Sequence, residues 1–233
     1  MNPKAVLFDL DDTLHDRRAS VEAFAPALHM HLEPWLGNVT LEECRQAIHS
    51  LEEFRETLQR VDYGGYVPRE VFMTRLLESF GVTSGFDPLE LAEFWRSSFA
   101  AYAQPMRGAR EILEHLRGRG IKTGIVSNGT FRLQQAKIDA LELRVDAVVI
   151  SEQIGVKKPA PEPFLECLKR LEVQAFEAWF VGDHAVNDIV GASAVGMRAF
   201  WLEIEQHLEP VGIEYTRIEA LSDFELYLSS KST

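Results

Sequence analysis

From Gly108 to Leu202, short apolar runs alternate with helix-like segments, and that alternation restricts the fold more than any other feature of the chain. "IKTGIV", "VDAVVI", "AWFVG" and "RAFWL" are too short for buried helices and read as strands. They are nearly continuous in apolar residues rather than alternating, which is how strands covered on both faces are written. Helical patterns separate them, one from about Phe131, one opened by Pro161 and one near Val186 to Val195, while a further helix from Ala109 to about Arg119 stops at Gly120. Strands and helices in alternation build a parallel sheet with helices on both faces. "KAVLF" near the start has the same buried-strand character, so the sheet is expected to begin there.

Between that first strand and the alternating region, the pattern is helical throughout, from about Leu14 to Ala103. Thr40 with Glu43 reads as a capping box, as does Asp87 with Glu90, where Pro88 takes the first helical position. Pro68 opens another helix, with Val71, Leu76 and Leu77 among its apolar positions, and "DYGGYVP" before it reads as a loop. A helical block is thus inserted after the first strand. The expected organisation is an α/β core from residues 1–14 and 104–233, Rossmann-like in its parallel sheet, with an inserted helical domain at 15–103. No internal repeat interrupts this plan, and the final "SSKST" reads as a loose tail.

The bulk numbers narrow the class. A chain of 233 residues that is 46% hydrophobic can bury a real core. A net charge of −12 argues against a general grip on nucleic acid or on an anionic membrane surface. No apolar stretch approaches the roughly 18 residues of a membrane span, and Asp9 arrives too early for a secretory leader. Cys44 and Cys167 have no metal-like spacing, so a reducing, cytoplasmic setting is the expectation; a monomer is the default, with oligomeric state left open.

Ligands of open parallel sheets bind beyond the carboxyl ends of the strands. The residues at those ends form a chemically coherent set. The first strand ends in Asp9-Leu10-Asp11 and the second in Ser127-Asn128-Gly129; the third leads to Lys157-Lys158-Pro159 and the fourth to Gly182-Asp183, with Asp188 beyond. Buried carboxylates are costly and raise one another's pKa, so a cation is expected among them. All-oxygen donors suit Mg²⁺. Asp9 can attack phosphorus as a carboxylate nucleophile. Asp11, two residues on, points to the same side in extended backbone and can act as general acid and base. Ser127 and the backbone N–H groups from Asn128 onward sit where a helix begins, suited to phosphate oxygens.

"DLDDT", "SNG", "KKPAPEPF" and "GDHAVND", in this order, resemble the haloacid dehalogenase-like hydrolase superfamily, in its phosphatase-rich subgroup with a helical (C1-type) cap after the first strand. The resemblance implies Asp9 as nucleophile, Asp11 as acid/base, and Mg²⁺ held by Asp9, the Asp11 carbonyl and Asp183. It implies that Ser127, Asn128 and Lys158 hold the phosphoryl group, with Asp188 orienting Lys158 or a metal-bound water. Lys158, before the proline, is preferred over Lys157. The expected activity is Mg²⁺-dependent hydrolysis of a small phosphorylated metabolite through an aspartyl-phosphate. Arg17, Arg18, Gly64 and Gly65 are candidate substrate contacts of the cap.

Other chemistries of the same superfamily are separable. Haloacid dehalogenases lack the acid/base Asp that Asp11 supplies. Phosphonoacetaldehyde hydrolases need a cap lysine, and no lysine occurs between Lys4 and Lys122. A β-phosphoglucomutase-like phosphomutase stays open. A receiver-type phospho-acceptor module is disfavoured, since such modules are shorter and carry their acceptor on a later strand. Asp12 reads as a turn residue, His184 as structural, His29, His31 and His49 as cap surface, and both cysteines as small apolar residues on helices.

Overall fold

The computed structural model describes residues 2–61, 68–203 and 209–229, residues 55–61 and 229 by backbone alone. The Gly64-Gly65 loop and the tail from residue 230 lie outside these spans. The chain forms two compact units, one of Met1–Asp16 with Gln104–Thr233 and one of Arg17–Ala103.

The first unit is the α/β layer structure. Its strands are β1 (Ala5–Phe8), β2 (His15–Asp16), β3 (Gln104–Pro105), β4 (Lys122–Ser127), β5 (Ala147–Ile150), β6 (Ala178–Gly182), β7 (Arg198–Leu202) and β8 (Thr216–Ile218). Six of them form one sheet in the order β5-β4-β1-β6-β7-β8, all pairs parallel. The chain builds outward from β1 to one side and then, from β6 on, to the other. β1 and β6 therefore flank the point where the connection reverses, which opens a crevice beyond their carboxyl ends. β2 and β3 form a separate antiparallel ribbon at the boundary of the insertion. The periodicity of the sequence assigns the β2 stretch to the helical block instead. Four consecutive N–H groups explain the turn into it: Leu10 O accepts from Thr13, Leu14 and His15, and His15 O accepts from Asp12. Asp12 takes φ +60° there, a turn conformation that short polar side chains tolerate.

The helices are α1 (Arg17–Leu36), α2 (Leu41–Val61), α3 (Arg69–Ser79), α4 (Pro88–Ser98), α5 (Ala109–Gly118), α6 (Phe131–Ala140), α7 (Ser151–Ile154), α8 (Pro161–Leu171), α9 (Gly191–Ala194) and α10 (Leu221–Ser229). α8 shows how the layers close. Pro163, Phe164, Cys167, Leu168 and Leu171 recur at helical spacing and are all buried. Phe164, Cys167, Leu168 and Leu171 pack with Leu7, Val126, Val149 and Phe180 around one core, and burying a side chain such as Phe164 contributes about 2–3 kcal/mol. Gly124 on β4 permits the close approach, because a Cβ there would lie 2.6 Å from Cys167 Sγ.

The second unit has its own core, with Phe24, Leu28, Phe72, Leu76, Leu91, Trp95 and Phe99 among its buried residues. Thr40 and Glu43 form the expected reciprocal cap. Asp87 caps α4 through Leu89 N at 2.9 Å. Val71 departs from expectation: it is exposed, and Phe72 and Met73 take the inner face of α3. β8 and α10 are additions to the elements expected from the sequence. The strand is short and half exposed, so it lacks the apolar run that betrays its neighbours.

Candidate active site

Asp9 follows β1 directly, and its N–H donates to Val181 O of β6 at 2.9 Å, so the ladder holds its backbone beside the end of the neighbouring strand. Asp183 follows β6, and Trp201 Nε1 fixes its carbonyl at 2.6 Å. Asp188 comes from the π-helical turn Ala185–Val190 that opens after β6. Carboxylate oxygens of Asp9, Asp183 and Asp188 can be chosen within 4.8 Å of one another.

Lys158 reaches into this cluster. Its Nζ lies 2.5 Å from Asp9 Oδ1 and 2.6 Å from Asp188 Oδ1, with all three side chains almost wholly buried. Lys157, one residue earlier, is exposed. The Asn128 carboxamide explains the register: it accepts from Lys158 N at 2.8 Å and donates to Lys158 O at 3.0 Å, holding the loop by both backbone groups. Asp188 uses its other oxygen on His184 N at 3.0 Å. His184 Nδ1 in turn accepts from the N–H groups of Val186 and Asn187. His184 is a capping residue of the turn, and burial lowers its pKa below the ordinary imidazole value.

Three carboxylates share one ammonium, and the electrostatics register the imbalance. Burial is the largest influence on Asp9; with Asp188 adding to it and Lys158 opposing, its pKa is pushed up to about 7. Burial, then Asp188 and Asp9, raise Asp183 well above the carboxylate range. Burial would depress Lys158, but Asp188 and Asp9 outweigh it and hold the ammonium above its ordinary value. Such a donor set, all oxygen, buried and short of positive charge, fits a hard divalent cation.

Asp11 lies apart from that cluster in its bonding. Lys137 Nζ approaches its Oδ1 at 2.6 Å and His15 Nδ1 the same oxygen at 2.7 Å, while Gln134 Nε2 donates to Oδ2 at 2.9 Å. Gln134 also donates to Ser127 Oγ at 2.7 Å. Of the backbone donors after Ser127, Gly129 N is committed to Ser151 Oγ and Phe131 N to Glu152. That narrows the anion-binding role expected of the start of α6. Arg17 lies in the helical unit, where it makes a close ion pair with Glu52 at 2.7 Å, and Arg18 is exposed.

Lys137, Gln134 and His15 are not among the residues that the sequence motifs single out. A signal is present for the first two. Gln134, Lys137, Ile138 and Leu141 stand at i, i+3, i+4 and i+7, so two polar residues occupy the stripe that Ile138 and Leu141 mark as buried.

A family model for haloacid dehalogenase-like hydrolases matches residues 3–196. The chain is 35% identical over 201 residues to a glyceraldehyde 3-phosphate phosphatase of Methanopyrus kandleri, covering 83% of this chain and 81% of that one. It is 36% identical over 203 residues to a ribulose-1,5-bisphosphate 5-phosphatase of Halopiger xanaduensis, covering 83% and 82% respectively. Among solved structures, a phosphatase of the same superfamily from Thermococcus onnurineus is 27% identical and superposes with a TM-score of 0.62 over 100% of both chains.

Proposed function

The chain belongs to the haloacid dehalogenase-like hydrolase family and is a phosphatase of small phosphorylated metabolites, and from that premise we propose how its residues divide the reaction. Asp9 is the nucleophile. One of its oxygens forms a bond to phosphorus as the ester P–O bond breaks, and the departing oxygen takes a proton from Asp11. In the second step Asp11 takes a proton from water, the water oxygen bonds to phosphorus, and the bond from Asp9 breaks to release phosphate. Lys158 neutralises charge on Asp9 and on the phosphoryl oxygens. Ser127, with a backbone donor at Asn128, holds the phosphoryl group, while the Asn128 side chain holds the Lys158 loop. Asp188 orients Lys158.

The observation that carries this reading is the placement of Lys158 Nζ between Asp9 and Asp188 at the reversal point of the sheet. The raised pKa values of Asp9 and Asp183 support a cation there as well. Mg²⁺ suits the donors, with Asp9, Asp183 and the Asp11 carbonyl as ligands; when bound it supplies positive charge against the phosphoryl oxygens. Substrate choice is assigned to the inserted helical unit as a cap, with Arg17, Arg18, Gly64 and Gly65 as its candidates. The two named relatives make phosphosugars the first compounds to test.

The test is Asp9→Asn assayed for free phosphate across a phosphomonoester panel, with Mg²⁺ and with chelator. Loss of turnover on every compound is expected. Hydrolysis at the unsubstituted rate would remove Asp9 as nucleophile. Recovery of an isomer in place of phosphate from the unsubstituted protein would replace the phosphatase by a phosphomutase.

A further inference from the structure

α6 buries two polar side chains that no step of the proposed reaction uses. Gln134 is 2% and Lys137 1% exposed, and their positions at i and i+3 place them on one helix face. A lysine taken this far out of water is costly unless a carboxylate meets it. Here the carboxylate is Asp11, whose side chain keeps 28% of its surface open. Lys137 Nζ and His15 Nδ1 converge on Oδ1, while Gln134 Nε2 takes Oδ2. Lys137 also donates to Gln134 Oε1 at 2.9 Å, so the two α6 side chains brace each other. Asp11 is gripped from behind through both oxygens and remains accessible on its other side.

We infer that Lys137 and Gln134 are positioning residues for Asp11: they fix the acid/base carboxylate and, through the Gln134–Ser127 bond, tie its location to the phosphoryl-holding hydroxyl. A proton donor must lie within hydrogen-bond reach of the leaving oxygen while phosphorus is held at Ser127. One amide nitrogen bonded to both groups sets that spacing. The inference rests on Asp11 being the acid/base.

The consequence is selective. An ester whose leaving group is a good anion needs no proton, whereas an alkyl ester does. Lys137→Met is to be compared with the unsubstituted protein on p-nitrophenyl phosphate and on the alkyl phosphomonoester that the panel finds fastest, by rapid-quench measurement of the first turnover with Mg²⁺ present. The first-turnover burst on p-nitrophenyl phosphate is expected to stay within about threefold, and transfer from the alkyl ester to fall roughly 10–100-fold. In an Asp11→Asn background, Lys137→Met is expected to add less than about twofold. Equal losses on both esters, or additive losses in the double variant, would overturn the inference and make Lys137 a phosphate-binding or purely structural group. Should Lys137→Met not fold, Lys137→Gln keeps a donor and is held to the same comparison. If Asp11→Asn alone spares the alkyl ester, the acid/base assignment fails first. If it impairs that ester and the Lys137 variants do not, only the positioning role is lost.

Discussion

The carboxylate of Asp188 occupies the space that a side chain on Gly182 would need: a Cβ at Gly182 would lie 2.5 Å from Asp188 Oδ2. Asp188 is 1% exposed and is one of the two carboxylates that grip Lys158. The last residue of β6 is therefore small because the strand end and the turn after it must nearly touch.

Gly182→Ala is accordingly expected to push Asp188 off Lys158. The overpacking costs about 1–3 kcal/mol, and phosphatase turnover falls with it, since Lys158 loses one of its two anchors. Thermal unfolding and a phosphate-release assay on the same preparation check both.

Lys158→Met removes the ammonium and leaves Asp9 and Asp188 facing each other, buried. Breaking a buried pair in this way is expected to cost about 3–5 kcal/mol near neutral pH. The sign with pH follows from Asp9. Its pKa is already raised, and removing Lys158 takes away the charge that lowers it, so its folded pKa rises further above the unfolded one. The penalty is small where Asp9 is protonated and grows as pH rises from the unfolded value through the folded one. The unfolding temperature of the variant, relative to the unsubstituted protein, therefore falls between acidic and neutral pH. A flat difference across that range would count against the pairing.

Mg²⁺ binding is expected to release protons. Asp9 is pushed up to about 7 and Asp183 is raised, so below neutral pH part of the site is protonated and must ionise to act as ligand. Affinity then increases as pH rises through about 7. Calorimetric titration of Mg²⁺ in two buffers of different ionisation enthalpy measures the protons directly. Asp183→Asn should abolish most of the binding heat.

Cys44 and Cys167 are buried, and burial pushes their thiols up to about 11 and about 12 respectively. Neither is expected to react with a disulfide reagent at mildly alkaline pH in the folded protein, and both should react after denaturation. Their folded pKa values lie above that of a free thiol, so they begin to weaken the fold only above the free-thiol value.

Much of the fold is legible in sequence because burial on both faces writes strands as unbroken apolar runs. β1, β4, β5, β6 and β7 all have that signature. β8 escapes it, being a partly exposed edge of three residues. The β2–β3 ribbon escapes because two-residue strands carry no period at all. At the site, Asp9, Asp183, Asp188, Ser127 and Lys158 stand at strand ends or in the loops and turns after them, where a polar residue interrupts an apolar pattern. Lys137 and Gln134 sit inside a helix, where the same interruption reads as an ordinary solvated face unless the whole stripe is taken together.

Neighbours within a few positions settle which segments are strands, that a helical block comes after the first of them, and which residue types stand at the strand ends. All of that is local, and the order of residues carries it. Which groups meet is settled only in the folded chain. Lys158 touches a carboxylate 149 residues away, and Lys137 one 126 residues away. The packing of β1 between β4 and β6, with the Asn128 clasp on its loop, turns Lys158 inward rather than Lys157 and leaves three carboxylates to one ammonium. Charge balance in a buried cup depends on distances of a few ångströms, and no local pattern in a chain encodes them.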